Sequence, residues 1–168
     1  MNDIPSGRGP EDGQPERFGQ ASNVGRDYVA RASVANVFEL EAGRLAMTRA
    51  ERPEILDIAR RMLDDHTTTG GLLLRAAMQT RGGVEVLREI DGPHRRLMNR
   101  LRQERGAGFE RTYLAIETAH HAETLSLHRA YAATGEEPEL RTAAAEIAAV
   151  TEDHLSRLRT LSGAAADR

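Results

Sequence analysis

Cysteine is absent from this sequence. That removes a disulfide framework, a thiolate nucleophile and every cysteine-based zinc site from consideration. Tryptophan is also absent, and only three phenylalanines and three tyrosines are present. Runs of β-branched residues are missing too; the longest, Thr67-Thr68-Thr69, is polar. No stretch approaches the roughly 20 consecutive apolar residues of a membrane-spanning helix. The formal net charge is only −3, so nothing argues for a general nucleic-acid binder. No glycine-rich phosphate loop is present, because the glycines fall in turns, tails or helix interiors.

What is abundant is alanine, leucine, arginine and glutamate, all good helix formers. With 168 residues the chain can bury one real core. The expectation is an all-α protein of one domain. Residues 1–22 carry Pro5, Pro10 and Pro15 with Gly7, Gly9 and Gly13 and read as a disordered tail; residues 163–168 read likewise. The tail holds no apolar run, so no secretory leader is legible. The cytoplasm is therefore the expected location, or the periplasm if the true start lies elsewhere.

Between the tails, apolar residues recur at helical spacing. A first helix is expected over about residues 26–51. Its stripe runs through Ala32, Ala35, Glu39, Gly43 and Ala46. A second begins at Pro53, a favoured first-turn residue, and carries Ile55, Ala59, Met62, His66, Leu73 and Ala77 on one face. Gly70 and Gly71 predict a weak point or bend one turn past His66. Residues 84–107 are too long for a tight turn and contain a short amphipathic helix from His94. The third helix is expected over residues 108–134, and the fourth opens at Pro138. A long helical crossover between the second and third helices is the topology of a ferritin-like four-helix bundle.

Each of the four long helices places a costly polar residue near its middle: Glu39, His66, His121 and His154. Such groups are buried only when paired, hydrogen-bonded or metal-bound. Counted from Arg52, Glu39 lies 13 residues back and His66 14 residues on, so at about 1.5 Å per residue they share a level. By the same count Glu117, rather than His121, is level with His154. Three imidazoles and a carboxylate suit zinc, iron, copper or nickel, with zinc or iron as first candidates. The alternative is a hydrogen-bonded network, with Asp65 or Tyr113 among the partners, that only sets helix register. Asp65, Glu117 and His120 are secondary candidates, read as a solvated carboxylate and a partly exposed helix pair. His94 and His128 read as surface or boundary residues. Di-iron ferroxidase chemistry is disfavoured, because only Glu117 and His120 show the required Glu-x-x-His spacing. The sequence leans against an enzyme, since no substrate pocket is legible.

The segment around Asn36, Phe38, Glu39, Gly43 and Ala46, then Met62, Asp65 and His66, then Gly108, Phe109 and Tyr113 with His121, and last His154 and Leu155 resemble the bacterial ferritin-like domain of unknown function 4142 family. Its members are often described as membrane or outer-membrane proteins and commonly carry a secretion leader. The resemblance covers roughly residues 26–161. It implies a four-helix ferritin-like bundle and marks Glu39, Asp65, His66, His121 and His154, without implying an activity. Glu110 stands where the family usually has aspartate, and Ala149 is near where it commonly has proline. Two functional expectations follow: a small metal-binding protein, or a structural or stress-associated interaction bundle. A homodimer, or contact of the basic 94–105 segment with an anionic surface, is a further expectation about partners.

Overall fold

The computed structural model describes residues 21–166, and they are all-helical. Five helices follow in order: α1 (Asn23–Arg49), α2 (Pro53–Gln79), α3 (Gly92–Gln103), α4 (Gly106–Thr134) and α5 (Pro138–Ala166). Four are long and α3 is short. Most of the N-terminal tail expected over residues 1–22 lies outside the described residues. At the other end, residues 163–166 are helical rather than tail; three consecutive alanines, the best helix formers, carry α5 onward.

Local chemistry sets the helix ends. The Ser22 side chain accepts a hydrogen bond from the Gly25 N–H at 2.9 Å, capping α1. Glu137, just before α5, accepts from the Ser22 N–H at 2.7 Å and so ties the start of α1 to the α4–α5 turn. Asp91 caps α3 by accepting from the His94 N–H at 3.0 Å. The buried Glu110 carboxylate accepts from the backbone N–H groups of Glu51 and Arg52, each at 2.8 Å, which fixes the tight α1–α2 turn. Helix α2 runs unbroken through Gly70 and Gly71, so the weak point expected there does not interrupt the helix. The reason lies across the interface. A Cβ on Gly70 would come within 2.5 Å of the Asn36 amide nitrogen, so this glycine makes room for a side chain of α1.

The four long helices close a ring, α1 on α2, α2 on α5, α5 on α4 and α4 on α1, while α3 lies against α1 and α4. Leu101 and Met98 of α3 are buried beneath it, and its arginines point outward. Two apolar clusters fill the ring. One gathers Phe38, Ala42, Ile55, Met62, Phe109, Tyr113 and Leu158. The other gathers Tyr28, Ala32, Leu73, Ala77, Tyr131, Leu140 and Ala144. In sequence, His66, Thr69, Glu117, His120, His121, Thr124, Thr151 and His154 all fall between the residues that each helix gives to the two clusters, and all are buried. A polar layer thus crosses the apolar interior at one level. No helix of the described residues is long and apolar enough to cross a membrane.

Candidate metal centre

The polar layer is built from the middle turn of each long helix. Helix α1 supplies Asn36 and Glu39, α2 supplies Asp65, His66 and Thr69, α4 supplies Glu117, His120, His121 and Thr124, and α5 supplies Thr151 and His154. Glu117, His121 and His154 are wholly buried, and Glu39, His66 and His120 nearly so.

Three imidazoles converge. The His66 and His154 ring centres are 5.4 Å apart, those of His66 and His121 5.6 Å, and those of His121 and His154 5.5 Å. One ring nitrogen from each lies within 4.8 Å of one from the other two. Each ring is also held from behind. His66 Nδ1 donates to Asn36 Oδ1 at 3.3 Å, His121 Nδ1 to the Glu117 carbonyl at 3.0 Å, and His154 Nε2 to Asp65 Oδ2 at 2.9 Å. These partners accept, so the proton of each neutral ring sits on the bonded nitrogen and a lone pair is left on the other. Those other nitrogens, His66 Nε2, His121 Nε2 and His154 Nδ1, are buried with no hydrogen-bond partner. An imidazole fixed on one side by a carbonyl, amide or carboxylate oxygen and open on the other is what a metal site requires.

Glu39 adjoins this trio. One of its oxygens is hydrogen-bonded to His120 Nδ1 and lies 3.3 Å from His121 Nδ1. The other lies 3.9 Å from His66 Nε2 and has no hydrogen-bond partner. Glu39, His120 and His121 form a second group able to hold an ion. Seven buried side-chain atoms lack a hydrogen-bond partner among the described residues; the other three belong to Tyr113 and Glu117. Each costs about 1–3 kcal/mol when left unmet. Concentrating them in one layer makes sense when something else meets them.

The charge states favour a cation. Burial holds His66 and His121 well below the ordinary imidazole range, His121 at about 3, with their histidine neighbours adding to the effect. Burial likewise lowers His154, against the opposing pull of Asp65. All three are therefore neutral near pH 7, with lone pairs free. Burial raises Glu39 to about 7, and it raises Glu117 well above the usual carboxylate range, helped by Glu39 beside it. The layer thus carries little charge of its own, and Glu39 is poised to give up a proton.

The structure gathers His66, His121 and His154 in one group and places Glu39 in a second with His120 and His121. It corrects several expectations. His121, not Glu117, faces His154. Glu117 and His120 are buried rather than partly exposed, because α1 and α3 cover that side of α4. Asp65 is half-exposed, yet it is the acceptor for His154 rather than a freely solvated carboxylate. His128 is buried and meets the Tyr28 hydroxyl at 3.1 Å. His94 is half-buried, and its Nε2 lies 3.1 Å from that of His120. Tyr113 is core, but its hydroxyl has no hydrogen-bond partner rather than a place in the network.

A family model described as "Domain of unknown function (DUF4142)" matches residues 12–161. No curated protein matches the chain significantly. Among solved structures, the chain is similar to "CopM in the Cu(II)-bound form", with a TM-score of 0.69 at 14% identity over 83% of this chain and 95% of that one. It is similar also to "CopM in the Cu(I)-bound form", with a TM-score of 0.67 at 15% identity over 82% and 94%. A third is "CopM in the Ag-bound form (by co-crystallization)", with a TM-score of 0.66 at 14% identity over 82% and 93%. These likenesses show a shared fold.

Proposed function

The chain belongs to the DUF4142 family, and from that premise we propose that it is a metal-binding protein whose four long helices form a ferritin-like bundle around one divalent transition-metal ion. His66, His121 and His154 supply three imidazole nitrogens, and Glu39 supplies a carboxylate oxygen. The observation that carries the reading is the set of three buried, unpartnered nitrogens, each on a ring whose other nitrogen is already bonded. The donor set fits: imidazole and carboxylate suit Cu(II), Zn(II), Ni(II) and Fe(II), and the order of affinities among divalent ions puts Cu(II) first. The copper- and silver-bound titles of the CopM structures support metal binding by this fold and favour copper over the zinc or iron expected from sequence. Beside His66 the interior leaves a cavity of about 20 Å³, room for one water molecule and not for a substrate. The reading is therefore binding rather than catalysis.

Protein loaded with Cu(II) and desalted is expected to keep about one equivalent by elemental analysis. Its affinity should depend on pH in one direction. Binding displaces the Glu39 proton, held at about 7, while the three histidines are already neutral. Chelator competition should show affinity rising about tenfold per pH unit from pH 5 to 7 and levelling above. Complete loss of copper on desalting, with an ordinary folded state, would favour the register-setting network instead.

A further inference from the structure

The centre is sealed, so an ion needs a way in. We propose that the surface cleft between α1, α3 and α4 is the entry port, with His94 and His120 as transient ligands that pass the ion to Glu39. This rests on the metal-binding reading above. The cleft has a volume of about 410 Å³ and is lined in part by Asp91, His94, His120 and Glu123. Asp91 and Glu123 are exposed and put negative charge at its mouth. Arg31, also on its wall, is already paired with Asp27 at 3.7 Å.

His94 is held from behind as the central histidines are, but its other nitrogen is shared with His120. Its Nδ1 is bonded to Asp91 Oδ1 at 2.6 Å, which fixes the ring and leaves Nε2 facing the His120 Nε2 at 3.1 Å. His120 spans the wall. One nitrogen meets His94 at the cleft, and the other meets Glu39 inside. Glu39 in turn lies 3.9 Å from the open His66 Nε2, and 3.3 Å from the protonated Nδ1 of His121. The donors therefore run in series from the cleft to the centre: His94, His120, Glu39 and His66. The other approach, the α2–α5 cleft beside Asp65, is lined by Arg60, Arg61 and Arg157 together with Glu54, Asp57, Asp64 and Asp65. Arg61 bridges Asp65 at 3.5 Å and Asp153 at 3.4 Å, and the His154 nitrogen on that side is already taken by Asp65. With Asp65 engaged by both Arg61 and His154, that cleft offers no imidazole nitrogen to hand an ion inward, which makes it the poorer path.

The test is stopped-flow uptake of Cu(II) by the metal-free full-length protein, read by quenching of tyrosine fluorescence, which no tryptophan obscures. His94→Gln is expected to slow uptake at least tenfold while the final copper content equals wild type. Asp91→Asn, which keeps the cap, should slow it in the same direction, and Arg61→Gln should leave the rate unchanged. An unchanged rate in His94→Gln with normal final content overturns the port and leaves the central site standing. A lost equivalent in that variant also overturns it, because His94 would then belong to a stable site. Failure of the wild type to take up copper at all removes the metal-binding reading itself, and the port with it.

Discussion

His121→Gln is expected to lose Cu(II) affinity by roughly 10²–10³-fold while remaining folded. Zinc-type centres of four ligands bind with apparent free energies of about 10–16 kcal/mol, or about 2.5–4 kcal/mol per ligand, and each 1.4 kcal/mol is a factor of ten. His121 is the position of choice because it alone of the three central histidines belongs to both candidate ligand groups. His66→Gln and His154→Gln should behave alike. Asn36→Ala removes only the acceptor behind His66, so its loss should be smaller, about 10–100-fold. His128→Gln supplies the control: that ring is buried and bonded to Tyr28, with no part in either ligand group, so copper affinity should not change. Chelator competition measures all five. Equal losses at His128 and His121 would mean that the variants report general loosening of the fold.

The metal-free protein should be unusually sensitive to acid. Burial depresses His66, His120, His121, His128 and His154, His128 to about 4. On unfolding, all five regain an ordinary value near 6.5 and take up protons below it. Glu39 and Glu117 act in the opposite sense. Their native forms hold protons that the unfolded chain releases above about pH 4.5. Below about pH 6 the five histidines outweigh the two carboxyls, so the unfolded state binds more protons than the native one, increasingly so toward pH 5. Stability falls with acid by about 1.4 kcal/mol per pH unit for each net proton taken up on unfolding. Against a total of about 5–15 kcal/mol, a few such protons bring acid unfolding to about pH 4–5 in a far-UV circular dichroism titration with chelator present. Bound copper should move the midpoint lower, because an occupied lone pair cannot be protonated. A midpoint near pH 3, unmoved by copper, would mean that the histidines are not held neutral in the native state.

The level of the polar layer was legible before the structure. Counting from Arg52 puts Glu39 and His66 at one height, and the apolar stripes of all four long helices carry a polar residue near mid-length. What counting could not supply was rotation. His120 and His121 differ by about 100° around α4. Which of them faces inward depends on what covers the other, and the answer is both: the ring holds His121, while α1 and the short α3 close over His120. The same covering buries Glu117. A signal for His94 was present in the Asp91 cap three residues ahead, which orients ring and helix start together, but its meaning depends on α3 lying across α4. Gly70 misled for a related reason. It marks an approach by Asn36 from the neighbouring helix, and Asn36 is the group that orients His66.

The most direct test of the central claim is X-ray absorption of protein carrying one equivalent of Cu(II). The account predicts a first shell of nitrogen and oxygen with multiple-scattering features of three imidazoles, falling to two in His154→Gln. Copper with one imidazole or none, or a spectrum unchanged in that variant, would contradict it.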